Sequence, residues 1–274
     1  MNSTVGTTIR ILAVSLACTS WLPAAYAQTN PTQGNADQSR RNDITWAVGA
    51  GGVRSPAWLG SSHTRYDFLP YFAFNWRDIV ELSITDGLSI DLLQGSTWHG
   101  GLTGTWRRGR STHDLGALAE AGIAPLSNAW QAGTYLEHVP VKNLTLGISF
   151  THDIQSTGAA YGDAYIEWDI PVLKPVEHSL KLAREFMNRS AMQRFFSVPA
   201  NAAAALGVQP YQPSAGASGT RLSYEAFLPT SRSTGFAIGF HWTRLASKPA
   251  SSPLVRDYGD KTQRTYLMAF LVHF

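Results

Sequence analysis

A single cysteine, Cys18, is all the thiol this 274-residue chain carries. It falls in an N-terminal stretch that reads as an export signal. The exported protein is therefore expected to hold no disulfide and no thiol chemistry, and to be stable without covalent staples. Charge is sparse too: Asp, Glu, Lys and Arg make up 15% of the residues, with a net charge of +3. Both signs are mixed along the chain and no basic tract stands out, which argues against a nucleic-acid partner. The histidines at 63, 99, 113, 138, 152, 178, 241 and 273 lack metal-ligand spacing, so no structural zinc is expected. Beyond residue 28 no apolar run reaches the length of a membrane-spanning helix. A chain of this kind enters a bilayer only as a closed sheet, because open strand edges are not tolerated in lipid.

The N-terminus supplies an address. Arg10 precedes a short apolar core, Ile11 to Leu22, and Ala25, Tyr26 and Ala27 offer small residues at the cleavage positions. Residues 1–27 are predicted to be a signal peptide, with the mature chain starting at Gln28. The core is too short and too polar for a comfortable membrane anchor. Ser15-Leu16-Ala17 before Cys18 makes a poor lipoprotein signal. Residues 28–43 are rich in Asn, Gln, Thr and Gly and read as a flexible periplasmic lead.

From Ile44 onward the apolar period is two. Ile44, Trp46, Val48 and Ala50 share a face, as do Phe68, Pro70, Phe72 and Phe74, then Leu144, Leu146, Ile148 and Phe150, and Phe236, Ile238, Phe240 and Trp242. The last residues place Tyr266, Met268, Phe270, Val272 and Phe274 on one face and stop on an aromatic ring. A soluble sandwich shares the alternation, but the export signal and the aromatic end favour an all-β, antiparallel transmembrane barrel of the bacterial outer membrane. Residues 44–274 are read as that single domain. The 24 glycines and many aromatics suit tight turns and interfacial rings.

About thirteen strand candidates emerge: 44–52, 67–76, 79–85, 88–93, 97–107, 114–123, 130–138, 142–150, 160–170, 176–186, 219–228, 234–244 and 264–274. Bacterial barrels favour even numbers, so 79–85 and 88–93 are joined through a bulge near Asp86-Gly87, giving twelve, with ten or fourteen open. The segment 176–186 reads equally as a short helix lined by Leu180, Leu182, Ala183 and Phe186. With the last strand running toward the periplasm, 76–78, 138–141, 171–175 and 229–233 become periplasmic turns. The long segments 53–66, 187–218 and 245–263 fall outside, which is the expected asymmetry.

Three residue sets are candidates for function. Periplasmic Arg77, Asp78 and Arg232 are candidate partner contacts. Phe195, Phe196 and Tyr211 lie in an apolar loop where Pro199 is placed to start a short helix; that loop reads as a packed lid or as a ligand contact. Charges alternating with apolar residues, namely Glu81, Asp91, Arg107, Glu120, Glu137, Glu167, Arg184, Arg221 and Glu225, are assigned to the lumen, where they pair with one another or line a solute path. Glu167, Arg221 and Glu225 are the candidate contacts among them. Catalysis finds no support. His152 and Asp153 point to opposite faces of a strand and form no triad with Ser149. Asp114 and Glu120 on one strand would stand roughly 20 Å apart, too far for a glycosidase pair. No enzyme activity and no cofactor are expected.

Several stretches together carry a family resemblance. They begin with the run from Asp43 to Gly52 and continue through Pro56-Ala57-Trp58-Leu59-Gly60-Ser61. Phe195-Phe196-Ser197-Val198 is similar to a family tyrosine-phenylalanine-glycine-valine, with Ser197 in place of the glycine. Ala205-Leu206-Gly207, Tyr211 and Gly216 echo another stretch. Arg244-Leu245 followed by Ser251 to Arg256 gives the sharpest match, with Lys248 and Pro249 near the family's usual Asp-Ala. Together these stretches resemble the MipA/OmpV family of outer-membrane proteins. The resemblance implies a barrel of twelve or so strands that binds a membrane-bound murein lytic transglycosylase and links it to a peptidoglycan synthase, with no catalytic residue. Outer-membrane lipids and the barrel assembly machinery are the further partners expected. The leading expectation is thus a non-catalytic scaffold or adaptor; the alternative is a small-solute pore or a ligand-sensing barrel.

Overall fold

A computed structural model describes residues 44–274 apart from 156 and 174. The expected signal peptide, 1–27, and lead, 28–43, lie outside the described residues. Twelve antiparallel strands close into a barrel. The first five are β1 (Ile44–Pro56), β2 (Thr64–Trp76), β3 (Val80–Ser83), β4 (Gly87–Asp91) and β5 (Trp98–Arg107). Next come β6 (Ala129–Val141), β7 (Leu144–Asp153), β8 (Ala160–Asp169) and β9 (Glu177–Met187). The circle ends with β10 (Gly216–Pro229), β11 (Thr234–Leu245) and β12 (Thr262–His273). β12 pairs back on β1 from Ala47↔His273 to Arg54↔Tyr266. That closure leaves no sheet edge at the seam, as a membrane-spanning sheet requires.

The period of two has become an inside and an outside. Along β12 Tyr266, Met268 and Phe270 are exposed to the lipid side, while Leu267, Ala269 and Leu271 are buried. Lipid-facing rings pair across strands, Phe236 with Phe270 at 5.3 Å and Phe240 with Tyr266 at 5.2 Å between centroids. Such pairs contribute several tenths of a kcal/mol each, on the order of 0.2–1. Tyr66 and Trp106 mark one aromatic girdle, Trp76 and Trp98 the other. Tyr66 to Trp76 is ten residues, roughly 33 Å along the strand and roughly 25 Å along the membrane normal at the usual tilt, which matches the apolar band of such barrels.

The count of twelve survives through two compensating corrections. The expected bulge at Asp86-Gly87 is a chain reversal: β3 and β4 are separate strands of a short hairpin, with Gly87 at φ +82°. The expected strand 114–123 is instead two helical turns, α1 (Thr112–Leu115) and α2 (Ala117–Glu120). Ser111 caps α1, its hydroxyl accepting from the Asp114 N–H while the Asp114 carboxylate accepts from the Ser111 N–H. That capping box, followed by apolar Leu115, Leu118 and Ile123, outweighs the alternation read from the sequence. As a result, residues 97–107 run opposite to the expected direction. Segment 177–187 is resolved as strand, and the turns 77–79, 142–143, 170–176 and 230–233 sit at one end, with both chain ends of the barrel. The long connections gather at the other end.

That long-loop end carries the apolar core. α3 (Arg189–Phe196) and α4 (Ala200–Leu206) lie over the mouth, with α5 (Ser247–Ala250) and α6 (Pro253–Arg256) beside them. Met192, Phe195 and Phe196 pack with Leu59, Tyr161, Leu245 and Val255. Trp58, Leu115, Leu118, Ile123, Val198, Ala202 and Leu254 form a second cluster. Pro199 is the N-cap of α4 and Gly207 ends it in a left-handed conformation, the stop signal glycine supplies most cheaply. Among the described residues no helix is long and apolar enough to cross a membrane.

Candidate functional site

The lumen is filled rather than open. Lys181 bonds Glu167 at 2.9 Å and sits 3.9 Å from the centroid of the Tyr165 ring. The Tyr165 hydroxyl donates to Glu137. Its ring reaches that carboxylate by lying across Gly147, where a Cβ would come within 2.1 Å of it. Arg221 pairs with Glu185, and Glu225 is buried on the same strand. His241 meets Ser223 at 2.8 Å. Near the mouth Arg107, 1% exposed, stacks 3.5 Å from the Tyr161 ring and bonds Gln131, which donates to Asp153 at 2.8 Å. Buried charge is tolerable in lipid only when partnered in this way.

Expected lumen residues Glu81, Asp91, Arg107, Glu137, Glu167, Arg221 and Glu225 are all buried inside. Two are not. Glu120 is exposed on α2. Arg184 faces outward, because the inward row of β9 is Ser179, Lys181, Ala183, Glu185 and Met187. Arg184, Arg244 and Lys248 instead line an outer surface groove of about 590 Å³ with Trp242. His152 also faces outward, whereas Asp153 is buried and Ser149 donates to Asp163. The three never converge.

The lid residues are gripped by the outer loops. Phe196 is fully buried, and its carbonyl accepts from the Ser252 hydroxyl at 2.7 Å. The Phe195 carbonyl accepts from Arg110 at 2.8 Å. Burial, with Arg194 nearby, pushes the Arg110 guanidinium down to about 10. Tyr211 bridges to Val198 through the backbone and donates its hydroxyl to the Lys248 carbonyl at 2.7 Å; burial raises that phenol. Arg194 on α3 reaches Asp153 at 3.2 Å.

At the opposite rim, Arg77 and Asp78 form the β2–β3 turn with positive φ of 58° and 57°. Asp78 is tied to Asn75, and the Arg77 guanidinium lies 5.8 Å from the Trp76 ring. Arg232 is exposed in the β10–β11 turn. The two turns flank the β1–β12 seam, with β2 and β11 three strand spacings apart, roughly 15 Å.

The wall has one feature that sequence reasoning missed. β3 and β4 are short, and their hairpin covers only the short-turn end of their neighbours. β2 pairs β3 only over Ala73–Trp76, and β4 pairs β5 only over Gly101–Gly104. Above the hairpin tip a window opens between β2 and β5, roofed by residues 108–128. The cavity there measures about 930 Å³. Lipid-facing Tyr66, Phe68, Pro70, Ile84 and Trp106 line it from outside; Val53, Arg65, Asp67, Leu69 and Thr105 line it from the lumen. The only sequence signals were the Asp86-Gly87 dipeptide, which favours a tight reversal, and Pro70, which favours a strand edge.

Solved structures with a similar fold are outer-membrane barrels. A NanC porin shares 11% identity over 83% of this chain and 98% of its own, with a TM-score of 0.41. A bacterial polysaccharide outer membrane secretin shares 10% over 86% and 99%, also at 0.41. OprD from Pseudomonas aeruginosa shares 10% over 85% and 65%, at 0.33. Among curated proteins none matches the chain. The family model described as MltA-interacting protein MipA matches residues 48–274, nearly the whole described barrel, and the chain belongs to that family of outer-membrane proteins.

Proposed function

We propose that this barrel is a non-catalytic docking protein that holds murein-processing enzymes, a lytic transglycosylase and a peptidoglycan synthase, at the outer membrane. The family match carries the reading, since its description names MltA, a lytic transglycosylase, as the interacting partner. The lumen supports docking over conduction: the Lys181–Glu167 and Arg221–Glu185 pairs cross it, its inward side chains are buried, and its mouth lies under α3 and α4. A murein enzyme approaches from the periplasm, so the contact surface is the rim around the β1–β12 seam: Arg77, Asp78, Arg232 and the lead 28–43. The mechanism is positional, the barrel fixing a partner at the membrane without chemistry of its own.

Photoreactive groups placed at Arg77, at Arg232 and within 28–43 of the native inserted barrel test this. Capture of a lytic transglycosylase or a peptidoglycan synthase is the expected result. Capture of neither, with the barrel inserted and the photoreactive groups shown to react, overturns it.

A further inference from the structure

The window between β2 and β5 is a built feature of the wall. Its floor closes its own hydrogen bonds: the Asp86 carboxylate accepts from the Ser83 and Thr85 hydroxyls at 2.7 Å each, and the Asp86 N–H donates to Ser83 Oγ at 2.7 Å. A strand reversal inside a membrane wall must be satisfied in this way. Its side is prepared as well. Phe72 accepts the last bond across to the hairpin, from the Ile84 N–H at 3.0 Å. Alternation along an antiparallel strand then turns the backbone groups of Pro70, Phe68 and Tyr66 toward the window. Pro70 brings no N–H to that edge, removing a donor that lipid would leave unpaired.

The rim is apolar and prominent. Tyr66 and Phe68 are 77% and 76% exposed, the highest values among the large lipid-facing side chains. Both lie in the outer half of the apolar band, so acyl chains are the medium that meets them. Behind the rim the lining turns polar. Arg65 donates to Asp67 and, at 3.1 Å, to Asp114; Arg108, just past the end of β5, donates to Asp67 at 3.0 Å and so bridges the window to β2. Asp114 also accepts from the Ser111 N–H and hydroxyl at 2.9 and 2.7 Å. Both carboxylates and Arg65 are thus committed. Arg108 spends one nitrogen on Asp67, and a guanidinium has five N–H donors. The spare capacity at the polar end is therefore for an acceptor. Arg54, 5.9 Å from the Tyr66 ring on the lipid face, adds a second cation at the same level.

We infer that this window is a lateral binding site for an anionic amphiphile of the outer leaflet. The apolar chain lies against Phe68, Pro70, Ile84 and Trp106, and the carboxylate or phosphate head is held by Arg108 inside the wall. The site is separate from the proposed docking rim, on the other half of the barrel, so the two stand or fall independently.

The test uses the full mature barrel in nanodiscs and twelve-carbon diazirine probes bearing a carboxylate, a phosphate or a neutral maltoside head, with labelled peptides mapped by mass spectrometry. Anionic probes are expected to label 64–70 and 105–114 above all other lipid-facing segments. The expected label falls with unlabelled anionic amphiphile of equal chain length and is unmoved by acetate or inorganic phosphate. Arg108→Gln should weaken that competition about tenfold, the worth of one charge-assisted hydrogen bond. Thr105→Trp, which fills the cavity from the lumen side, should abolish the labelling while heat-modifiable gel migration reports an intact barrel. A phosphatidylglycerol carrying the diazirine in its acyl chain separates the sources: its labelling of the window assigns a membrane lipid, and labelling by the free carboxylate alone assigns a fatty acid. Label spread evenly round the barrel, equal labelling by the neutral probe, or folded Arg108→Gln and Thr105→Trp variants that label like wild type would each overturn the inference.

Discussion

Arg194→Ala should loosen the lid and reveal how much the cap contributes to the closed mouth. Arg194 projects from α3, with its side chain 13% exposed, and bonds an Asp153 carboxylate whose side chain is fully buried at the end of β7. It also donates to the Ser127 carbonyl at 2.6 Å. Truncating one partner of a buried ion pair typically costs about 3–5 kcal/mol. Here the cost is smaller, because Gln131 at 2.8 Å and the Thr157 hydroxyl at 2.7 Å still serve Asp153. Losing the bond to Ser127 adds about 1 kcal/mol, so the total should be about 2–3 kcal/mol. Reversible urea unfolding in lipid vesicles, followed by tryptophan fluorescence, measures it. A double-mutant cycle with Asp153→Asn isolates the pair, with an expected coupling of about 1–2 kcal/mol. Arg194→Ala within about 0.5 kcal/mol of wild type, or a cycle that closes without coupling, would refute the claim that α3 is clipped to the barrel wall through this charge.

Gly147→Ala should push the Tyr165 ring off Glu137 and cost about 1–3 kcal/mol in the same urea assay. Gly162→Ala, whose nearest contact is 3.4 Å, is the matched control and should fall well short of that. Arg221→Leu leaves Glu185 buried without its partner and should cost about 3–5 kcal/mol, whereas Arg221→Leu with Glu185→Leu should recover most of it; equal losses in both would deny that the pair is the reason. Asp114 gives a pH signature. Burial raises its carboxyl, but the bonds from Ser111 and Arg65 outweigh burial and hold it below the ordinary 3.8. The contribution of Asp114 is therefore complete above pH 3.8 and is lost as pH falls through the lower folded value. Pepsin cleavage within 111–116 should rise over that interval in wild type and be flat in Asp114→Asn.

The lipid-facing half of this fold was legible because each strand writes its own alternation, and the signal survives without any knowledge of neighbours. β12, with Tyr266, Met268 and Phe270 outward, needed nothing else. Inward residues were less legible. Arg184 and Glu185 are adjacent and both charged, so the parity of β9 decides between them, and only the pairing with β10 fixes that parity. The stretch from Ser111 to Ile123 was misread because alternation over a few residues mimics a strand when the i, i+3 apolar spacing is short; the Ser111–Asp114 capping box was the better guide. The window was illegible for a different reason. It is made by what the β3–β4 hairpin fails to cover on β2 and β5, strands far apart in the chain, and no local pattern records a missing neighbour.

The two ends of the barrel are built by opposite means, and the division bears on what each can do. Around the mouth under α3 and α4, long loops bury Phe196, Met192 and Leu254, and Arg110 and Ser252 hold the carbonyls of Phe195 and Phe196. A surface invested in its own packing has little left to offer a changing set of partners. At the opposite rim the turns are two to seven residues long, and Arg77, Asp78 and Arg232 stand clear of any lid. Their backbone is nevertheless stiff: Asp78 is fixed by Asn75, and Asn75 in turn donates to Glu81 at 3.0 Å inside the wall. A short charged turn anchored to a closed sheet loses little freedom when a partner binds, which is the economy a docking surface needs. Asn75→Ala should therefore weaken partner capture at Arg77 without touching the partner, by releasing the turn that presents it. Capture at Arg232, two strands beyond the seam, should be unchanged. Equal loss at both positions would mean that the rim acts as a whole and that turn stiffness is not the cause.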